Sequence, residues 1–285
     1  VGLMDANPRA GLIQAPPQLV GRNSLFARIQ QFSSSVYGPL HTAGLALLQG
    51  PDGNYWGHNA IIRVHAFMQH CGLPKLPGKP PFGGEIMSHD FIEAALLRRA
   101  GWEVWMVPDI GGSYEEPPPT IPDYLLRDRR WCQGNLQHLR IIFAEGLALP
   151  NRLHMAMGIM SYVSSPLWVL LLVASAGLVG AAEHSPYYAS AVVTLVAAML
   201  VLLFGPKLLA LIVIARDEDE VRAHGGLGAL VRSILLESLF SALMAPIAML
   251  QLSWYVITIL MGIAVGWGAQ QRTDRALPLG YVARR

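Results

Sequence analysis

Stretches without charge in the second half of the chain constrain its fold more than any other feature. Residues 155–182 contain no Asp, Glu, Lys or Arg, so a helix there is long enough to cross the roughly 30 Å hydrocarbon core of a bilayer. Residues 187–215 form a second apolar stretch, and the polar residues 183–186 suit a loop between the two. Because lipid cannot satisfy exposed backbone groups, these stretches predict an all-α transmembrane region.

Two features of this apolar half have more than one explanation. Lys207 lies deep in the second stretch, where a charge is costly, so its side chain either extends to the membrane surface or faces protein. Residues 227–266 are apolar again, but they are interrupted at Arg232, Glu237, Pro246 and Gln251. They form either two short spans, or one interfacial helix followed by a re-entrant segment.

The first half of the chain has a different composition. The whole chain is 53% apolar and 14% charged, yet most of the His, Asp, Glu and Pro residues precede residue 154. Short predicted strands at residues 10–15 and 103–108 alternate with predicted helices at residues 23–36 and 91–100. This alternation predicts an α/β domain.

Arginines before the first span set the expected orientation. Under the positive-inside rule they place the preceding domain in the cytoplasm; they are Arg127, Arg129, Arg130, Arg140 and Arg152. We therefore expect a cytoplasmic domain over residues 1–153, a membrane region over residues 154–272 and a cytoplasmic tail over residues 273–285.

Charge and cysteine content argue against two classes of function. The formal net charge is only +2 and no basic patch alternates with aromatic residues, so no nucleic acid is expected as a partner. The two cysteines, Cys71 and Cys132, are far apart and lack the spacing of metal ligands. We expect unpaired thiols, as in a reducing compartment.

The run Arg127-Asp128-Arg129-Arg130-Trp131 is the strongest candidate for a binding site. It places three arginines within four residues, and guanidinium groups pair bidentately with phosphate oxygens. Such a run suits a polyanion such as a diphosphate. The alternative is a solvated start of a basic helix, or the positive flank of a membrane span.

Asp90 is the candidate catalytic residue. It follows Gly84 to His89 at a predicted junction of loop and helix, where a carboxylate can take a proton from a substrate hydroxyl. The alternative is that Asp90 only caps the helix. Upstream, Trp56, Asn59 and Arg63 offer a ring, an amide and a cation, which can stack on a sugar and hydrogen-bond its hydroxyls. A buried Trp before a capped helix explains that stretch equally well.

Several motifs in order resemble the glucan biosynthesis glucosyltransferase H family. They are residues 59–63, 84–90, 127–135 and 161–168, and the similarity runs from Asn7 to Gln270. Members of that family are membrane-embedded, processive family 2 glycosyltransferases that make the β-glucan backbone of periplasmic glucans from UDP-glucose. The resemblance implies the C-terminal, acceptor half of a GT-A glycosyltransferase domain, in the bacterial inner membrane.

The resemblance also implies roles for individual residues. Asp90 matches the catalytic base, Arg130 the residue that meets the diphosphate, and Trp131 the ring at the acceptor sugar. The remaining expected substrate-binding residues are Trp56, Asn59, Arg63, Glu85, Arg127 and Arg129. Trp267 to Arg272 resembles the segment that gates the active site.

The chain departs from the family at the metal site. The family's Asp-x-Asp motif, which holds Mg²⁺ or another divalent cation, is absent from residues 1–153. Asp217-Glu218-Asp219 matches the letters, but it lies between two predicted spans and we discount it. We therefore expect a fragment that lacks the nucleotide-binding half, while the full enzyme uses a divalent cation.

Partners follow from the same resemblance: UDP-glucose, a glucan acceptor, the lipid bilayer and an acyl carrier protein. The contrasting hypothesis is that this polypeptide alone is a catalytically inactive fragment or a membrane interaction module. A transporter with a cytosolic cap would leave the ordered motifs of the first half unexplained.

Overall fold

The computed structural model describes residues 1–182 and 188–266, which form a layer of short strands and helices followed by long helices. The first part contains α1 Gly2–Ala6, β1 Ala10–Gln14, β2 Gln18–Leu19, α2 Leu25–Gln49, β3 Ala60–Ile62, α3 Val64–His70, α4 His89–Arg99, β4 Glu103–Met106, β5 Tyr114–Glu115 and α5 Ile121–Gln137. A 3-10 turn at His138–Arg140 leads to α6 Leu149–Ala182, α7 Tyr188–Ile214, α8 Glu218–Ala223 and α9 Leu227–Leu260. The predicted fold class is confirmed; the domain boundaries stay a prediction.

Strand β1 is the centre of a mixed sheet of order β3–β1–β4. It runs antiparallel to β3 and parallel to β4, where Ile13 pairs with Trp105. All five residues of β1 are buried: Leu12 shares a core with Leu97 of α4, and Ile13 shares one with Met4 of α1. Strands β2 and β5 form a second, two-stranded parallel sheet, in which Leu19 pairs with Glu115. Glu115 lines the site described below.

Helix α2 is longer than the predicted helix over residues 23–36. Ser24 begins it by accepting a hydrogen bond from the Ala27 N–H at 3.3 Å. The helix continues to Gln49 although Pro39 lies inside it, and its middle packs against α7. The loop predicted over residues 117–122 ends at Thr120, because Thr120 caps α5 and the helix begins at Ile121.

Lys207 faces protein and not the membrane surface. Its ammonium group donates to the carboxylate of Glu237 in α9, and to Ser238 Oγ at 3.0 Å. Glu237 also accepts from Tyr37 Oη of α2 at 2.9 Å and from Ser241 Oγ at 2.7 Å. A buried charge needs such a partner, so one cluster joins α2, α7 and α9.

Three described helices are long and apolar enough to cross a membrane: Leu149–Leu178, Ala189–Ile214 and Leu227–Leu260. The first two lie where the spans over residues 155–182 and 187–215 are predicted, and both are helical as expected. The third is one continuous helix, so the alternative of two short spans in residues 227–266 is wrong.

Both ends of α9 contact the α/β part. Near its start, Leu230 packs in one cluster with Val36 of α2, and near mid-length the Phe240 ring lies 6.2 Å from the Phe26 ring of α2. Near its end, Ile259 packs in one cluster with Cys132 and Leu136 of α5. Since α9 is 34 residues long, these contacts lie far apart along one face of the α/β part.

The neighbours of α9 among the long helices show the same arrangement. Leu230 packs against Ala210 and Ile214 at the end of α7, and Tyr255 packs against Ile159 near the start of α6. If α6 and α7 are two consecutive spans, the start of α6 and the end of α7 lie on the same side of the membrane. The contacts therefore favour the interfacial-helix alternative for α9. The segment predicted to gate the active site, Trp267 to Arg272, lies outside the described residues.

We expect both ends of α9 to lie on one side of the membrane. Green fluorescent protein and alkaline phosphatase, fused after Gly226 and after Gly266, should report the same side at both positions. A fusion after Ala182, between α6 and α7, should report the opposite side and serves as the control. Opposite results for the two ends of α9 would show that it crosses.

Candidate active site

The predicted site residues on α4 and α5 line one opening in the α/β part. We call it the Asp90 cleft; its volume is about 580 Å³. It is lined by Pro17, Trp56, Gly57, His58, Met87, Ser88, His89, Asp90, Phe91, Glu115, Arg130, Trp131 and Asn135. A second opening of about 400 Å³, the Arg127 pocket, shares His58, Glu115, Arg130 and Trp131 with it and adds Arg22 and Arg127.

Asp90 lies in the first turn of α4, partly buried, with its carboxylate against the loop that carries Gly57. A Cβ on Gly57 would lie 3.1 Å from Asp90 Oδ2, and Gly57 has a φ of +84°, so glycine permits this close approach. The N-cap position of α4 is Ser88, whose side chain makes no capping hydrogen bond, and Asp90 is the second residue of the helix. Both roles considered for Asp90, as a base and as a helix cap, stay predictions. Burial raises the pKa of Asp90, while His89 and the Phe91 N–H oppose that rise.

Helix geometry separates the three arginines of α5. Arg127 and Arg130 are three residues apart and share a face, whereas Arg129 points away from Arg127. The Arg127 guanidinium lies 4.4 Å from the centre of the Trp131 ring. Arg129 instead lies 5.6 Å from the Tyr255 ring of α9, so it contacts the membrane helices and not the cleft.

Arg130 is only 6% exposed, and burial lowers its pKa. A guanidinium group keeps its charge under such conditions. Its position at the junction of the Asp90 cleft and the Arg127 pocket therefore provides a fixed cation that an anionic group can reach from either opening.

The last turns of α5 hold the segment that leads to Asp90. Gln137 accepts from the Met87 N–H at 2.9 Å and donates to the Glu85 carbonyl at 3.1 Å. His138 Nε2 donates to the Ser88 carbonyl at 3.1 Å, and burial lowers the pKa of His138 to about 4. His138 is therefore neutral at physiological pH and serves as a fixed hydrogen-bond donor.

The structure brings together only some of the predicted residues. Trp56 lines the cleft, and its backbone N–H donates to Gln14 Oε1 at 2.6 Å. Asn59 hydrogen-bonds Ser113 outside the lining of the cleft, and it has a φ of +52°. The alternative of a capped helix start after Trp56 is wrong, because β3 follows.

Two further predicted residues lie away from the cleft. Arg63 donates to the Ala10 carbonyl at 3.0 Å and to the Met4 carbonyl at 2.9 Å, and thereby joins β3 to the start of the chain. Glu85 forms an exposed ion pair with Lys75 at 2.8 Å. Their roles in substrate binding stay predictions.

Sequence reasoning missed His58 and Glu115. Both line the two openings, and His58 Nε2 lies 3.5 Å from Glu115 Oε2. His58 lies two residues after Trp56, so the stretch that contains Trp56 and Asn59 could have indicated it as a site residue. Glu115 lies in β5, a strand of two residues without a recognisable pattern.

The donor groups present do not fit a divalent cation. Within residues 1–182 and 188–266, no group of three or more His, Cys, Asp or Glu side chains could hold a metal ion. Asp217 of the literal Asp-x-Asp match caps α8, where its carboxylate accepts from the Asp219 N–H at 2.9 Å and the Glu220 N–H at 3.2 Å. Cys71 and Cys132 are buried free thiols, as predicted.

Replacing Gly134 by Ala tests the packing of α5 against the Ser88 turn. A Cβ there would collide with Ser88 Oγ and lie 2.8 Å from the Ser88 backbone nitrogen. We expect Gly134→Ala to lower stability by about 1–3 kcal/mol, despite the better helix propensity of Ala. Gly44→Ala in α2 is the matched control, since nothing lies within 4 Å of its Cβ. Thermal unfolding in detergent measures both; equal behaviour of the two variants would contradict this packing.

Comparison with known proteins identifies the family. Residues 1–268 match the family described as Glycosyl transferase family group 2. Relatives named "Glucans biosynthesis glucosyltransferase H" are 48% identical over 299 residues in Xylella fastidiosa (strain 9a5c) and 45% identical over 303 residues in Cupriavidus pinatubonensis (strain JMP 134 / LMG 1197). A relative of the same name in Vibrio cholerae is 47% identical over 293 residues.

These similarities cover nearly all of this chain but only part of each relative. The alignments span 100%, 100% and 97% of this chain, against 47%, 35% and 40% of the relatives from Xylella, Cupriavidus and Vibrio. The chain thus spans less than half the length of these curated relatives. The resemblance to the glucosyltransferase H proteins is confirmed, and the chain belongs to glycosyl transferase family group 2.

Proposed function

We propose that the chain carries the acceptor side of an inverting β-glucosyltransferase. The observation that supports this most directly is that Asp90, Arg130 and Trp131 line one cleft, although they lie on two separate helices. A base, a cation and an aromatic ring in one opening suit transfer of a sugar from a phosphate leaving group to a hydroxyl.

Asp90 is the general base in this reaction. It takes the proton from the acceptor hydroxyl as the hydroxyl oxygen attacks C1 of the donor glucose. The bond from C1 to the diphosphate oxygen breaks, and the leaving diphosphate keeps the electron pair. The attack occurs opposite the leaving group, so the anomeric centre inverts.

Arg130 stabilises the negative charge that develops on the leaving group, with Arg127 beside it in the second opening. Such stabilisation acts most strongly at partly buried positions, where water screens charges poorly. Trp131 is 47% exposed, which leaves its ring accessible for stacking on the acceptor sugar.

The relatives named "Glucans biosynthesis glucosyltransferase H" support glucose as the transferred sugar and a glucan as the product. UDP-glucose as the donor and a growing β-glucan as the acceptor are inferred from the family resemblance. The spans support a location at a membrane, and we infer a processive enzyme of the bacterial inner membrane with its α/β part in the cytoplasm. A divalent cation and an acyl carrier protein remain predictions from family resemblance, and no step above depends on them.

Asp90→Asn in the complete protein should lower glucan synthesis by about 10²–10⁴-fold, because Asn cannot accept the proton. UDP binding should remain nearly unchanged, since the proposed role of Asp90 is at the acceptor hydroxyl and not at the leaving group. Incorporation of labelled glucose into glucan by bacterial membranes, with UDP binding measured in parallel, checks both. Retained synthesis would rule out Asp90 as the base.

Arg130→Ala should lower kcat/KM for UDP-glucose by about 10²–10³-fold, the usual cost of removing one stabilising charge from a developing anion. Arg28→Ala removes the same charge at an exposed position of α2 and should leave kcat/KM unchanged. Equal losses in the two variants would point to net charge, and not to the cleft, as the cause.

A second candidate follows from the missing metal ligands in the described part of the chain. These 285 residues would then serve as an acceptor-binding and membrane module that is inactive by itself. We expect no hydrolysis or transfer of UDP-glucose by this polypeptide with Mg²⁺ present, measured by release of UDP. Turnover by these residues alone would reject this candidate.

A further inference from the structure

His89 is oriented by a buried carboxylate beside the proposed base. Its Nδ1 lies 2.9 Å from Glu93 Oε1, one helical turn along α4. The Glu93 side chain is 9% exposed, whereas the His89 side chain is 50% exposed. The imidazole is therefore held from the protein side and open toward solvent.

The pairing determines which ring nitrogen can exchange a proton. A carboxylate accepts, so Nδ1 of His89 carries a hydrogen and donates it to Glu93. In the neutral ring Nε2 is then the basic nitrogen. His89 and Asp90 both line the Asp90 cleft, so the two side chains border one opening.

The proposed reaction requires that Asp90 be returned to its carboxylate form after every transfer. Each transfer leaves the acceptor proton on Asp90, and the carboxylate must lose it before the next transfer. Asp90 is partly buried and lies beside Gly57, whereas the neighbouring His89 side chain is 50% exposed and therefore reaches bulk water more readily.

We propose that His89, oriented by Glu93, carries the acceptor proton from Asp90 to solvent. The inference rests on the proposed function of Asp90. In the balanced step, Asp90 gives its proton to His89 Nε2, directly or across one water in the cleft. The resulting imidazolium then releases a proton to bulk water, and both groups return to their starting states.

The charges around His89 suit this exchange. The groups that face the cleft or the pair are Asp90 and Glu93 of α4, Tyr55 and His58 of the loop before β3, Glu115 of β5 and Arg130 of α5. The hydrogen bond to Glu93 raises the pKa of His89 and the charges of Glu93 and Asp90 add to the rise, while burial opposes it. A histidine displaced upward from its ordinary pKa near 6.5 gains and loses protons readily around neutral pH.

Chemical rescue tests the proposal in the complete protein. His89→Ala leaves a gap at a half-exposed position, which free imidazole can enter. We expect glucan synthesis to fall at least tenfold, and added imidazole to restore it in proportion to the concentration of neutral imidazole. Wild type and Asp90→Asn should not respond to imidazole. Loss of activity without rescue, or unchanged activity, would overturn the role of His89.

A second variant covers the case in which His89→Ala folds poorly. His89→Gln keeps an N–H for Glu93 but cannot carry a proton, so we expect a larger solvent deuterium isotope effect on kcat than in wild type, with KM for UDP-glucose unchanged. An unchanged isotope effect at full activity would reject the relay. If the proposed function itself is wrong, Asp90→Asn remains active. If only the relay is wrong, Asp90→Asn is inactive while the His89 variants behave like wild type.

Discussion

The contact between the last turns of α5 and the segment before Asp90 determines the geometry of the whole site. Gln137 binds the backbone of Glu85 and Met87, and His138 binds that of Ser88. Each such hydrogen bond contributes only about 0.5–1.5 kcal/mol, yet leaving one of these buried groups unpaired would cost more. Through this contact a base on α4 and cations on α5, distant in sequence, share one opening.

Helix α5 also links that opening to the membrane helices. One of its faces carries Arg130 toward the cleft, while Leu136 on another face packs against α6 and α9. Asp128 adds a polar link, since it accepts from Tyr162 Oη of α6 at 3.1 Å. The same helix therefore joins the packing against α6 and α9 to the position of Arg130 in the cleft.

Local patterns predicted much of this arrangement. Strand β1, helix α4 and the first two apolar spans could be recognised because their signals lie within short windows of sequence. That Arg129 and Arg130 point in different directions could be predicted only if the run was known to be helical. The prolines before the run concealed the start of α5. Glu115 could not be recognised, because its place beside His58 depends on the pairing of two-residue strands. Contacts between residues far apart in sequence leave no local pattern.

The cluster of Lys207, Glu237 and Tyr37 limits how the protein can be divided. Tyr37 belongs to the α/β part and stands 200 residues from Glu237, yet its hydroxyl completes the environment of that carboxylate. Excising the α/β part at the start of α6 would expose Val36 to water and leave Glu237 without one of its donors. The two parts of the chain are therefore not independent modules, and neither can be expected to behave as a well-folded piece without the other.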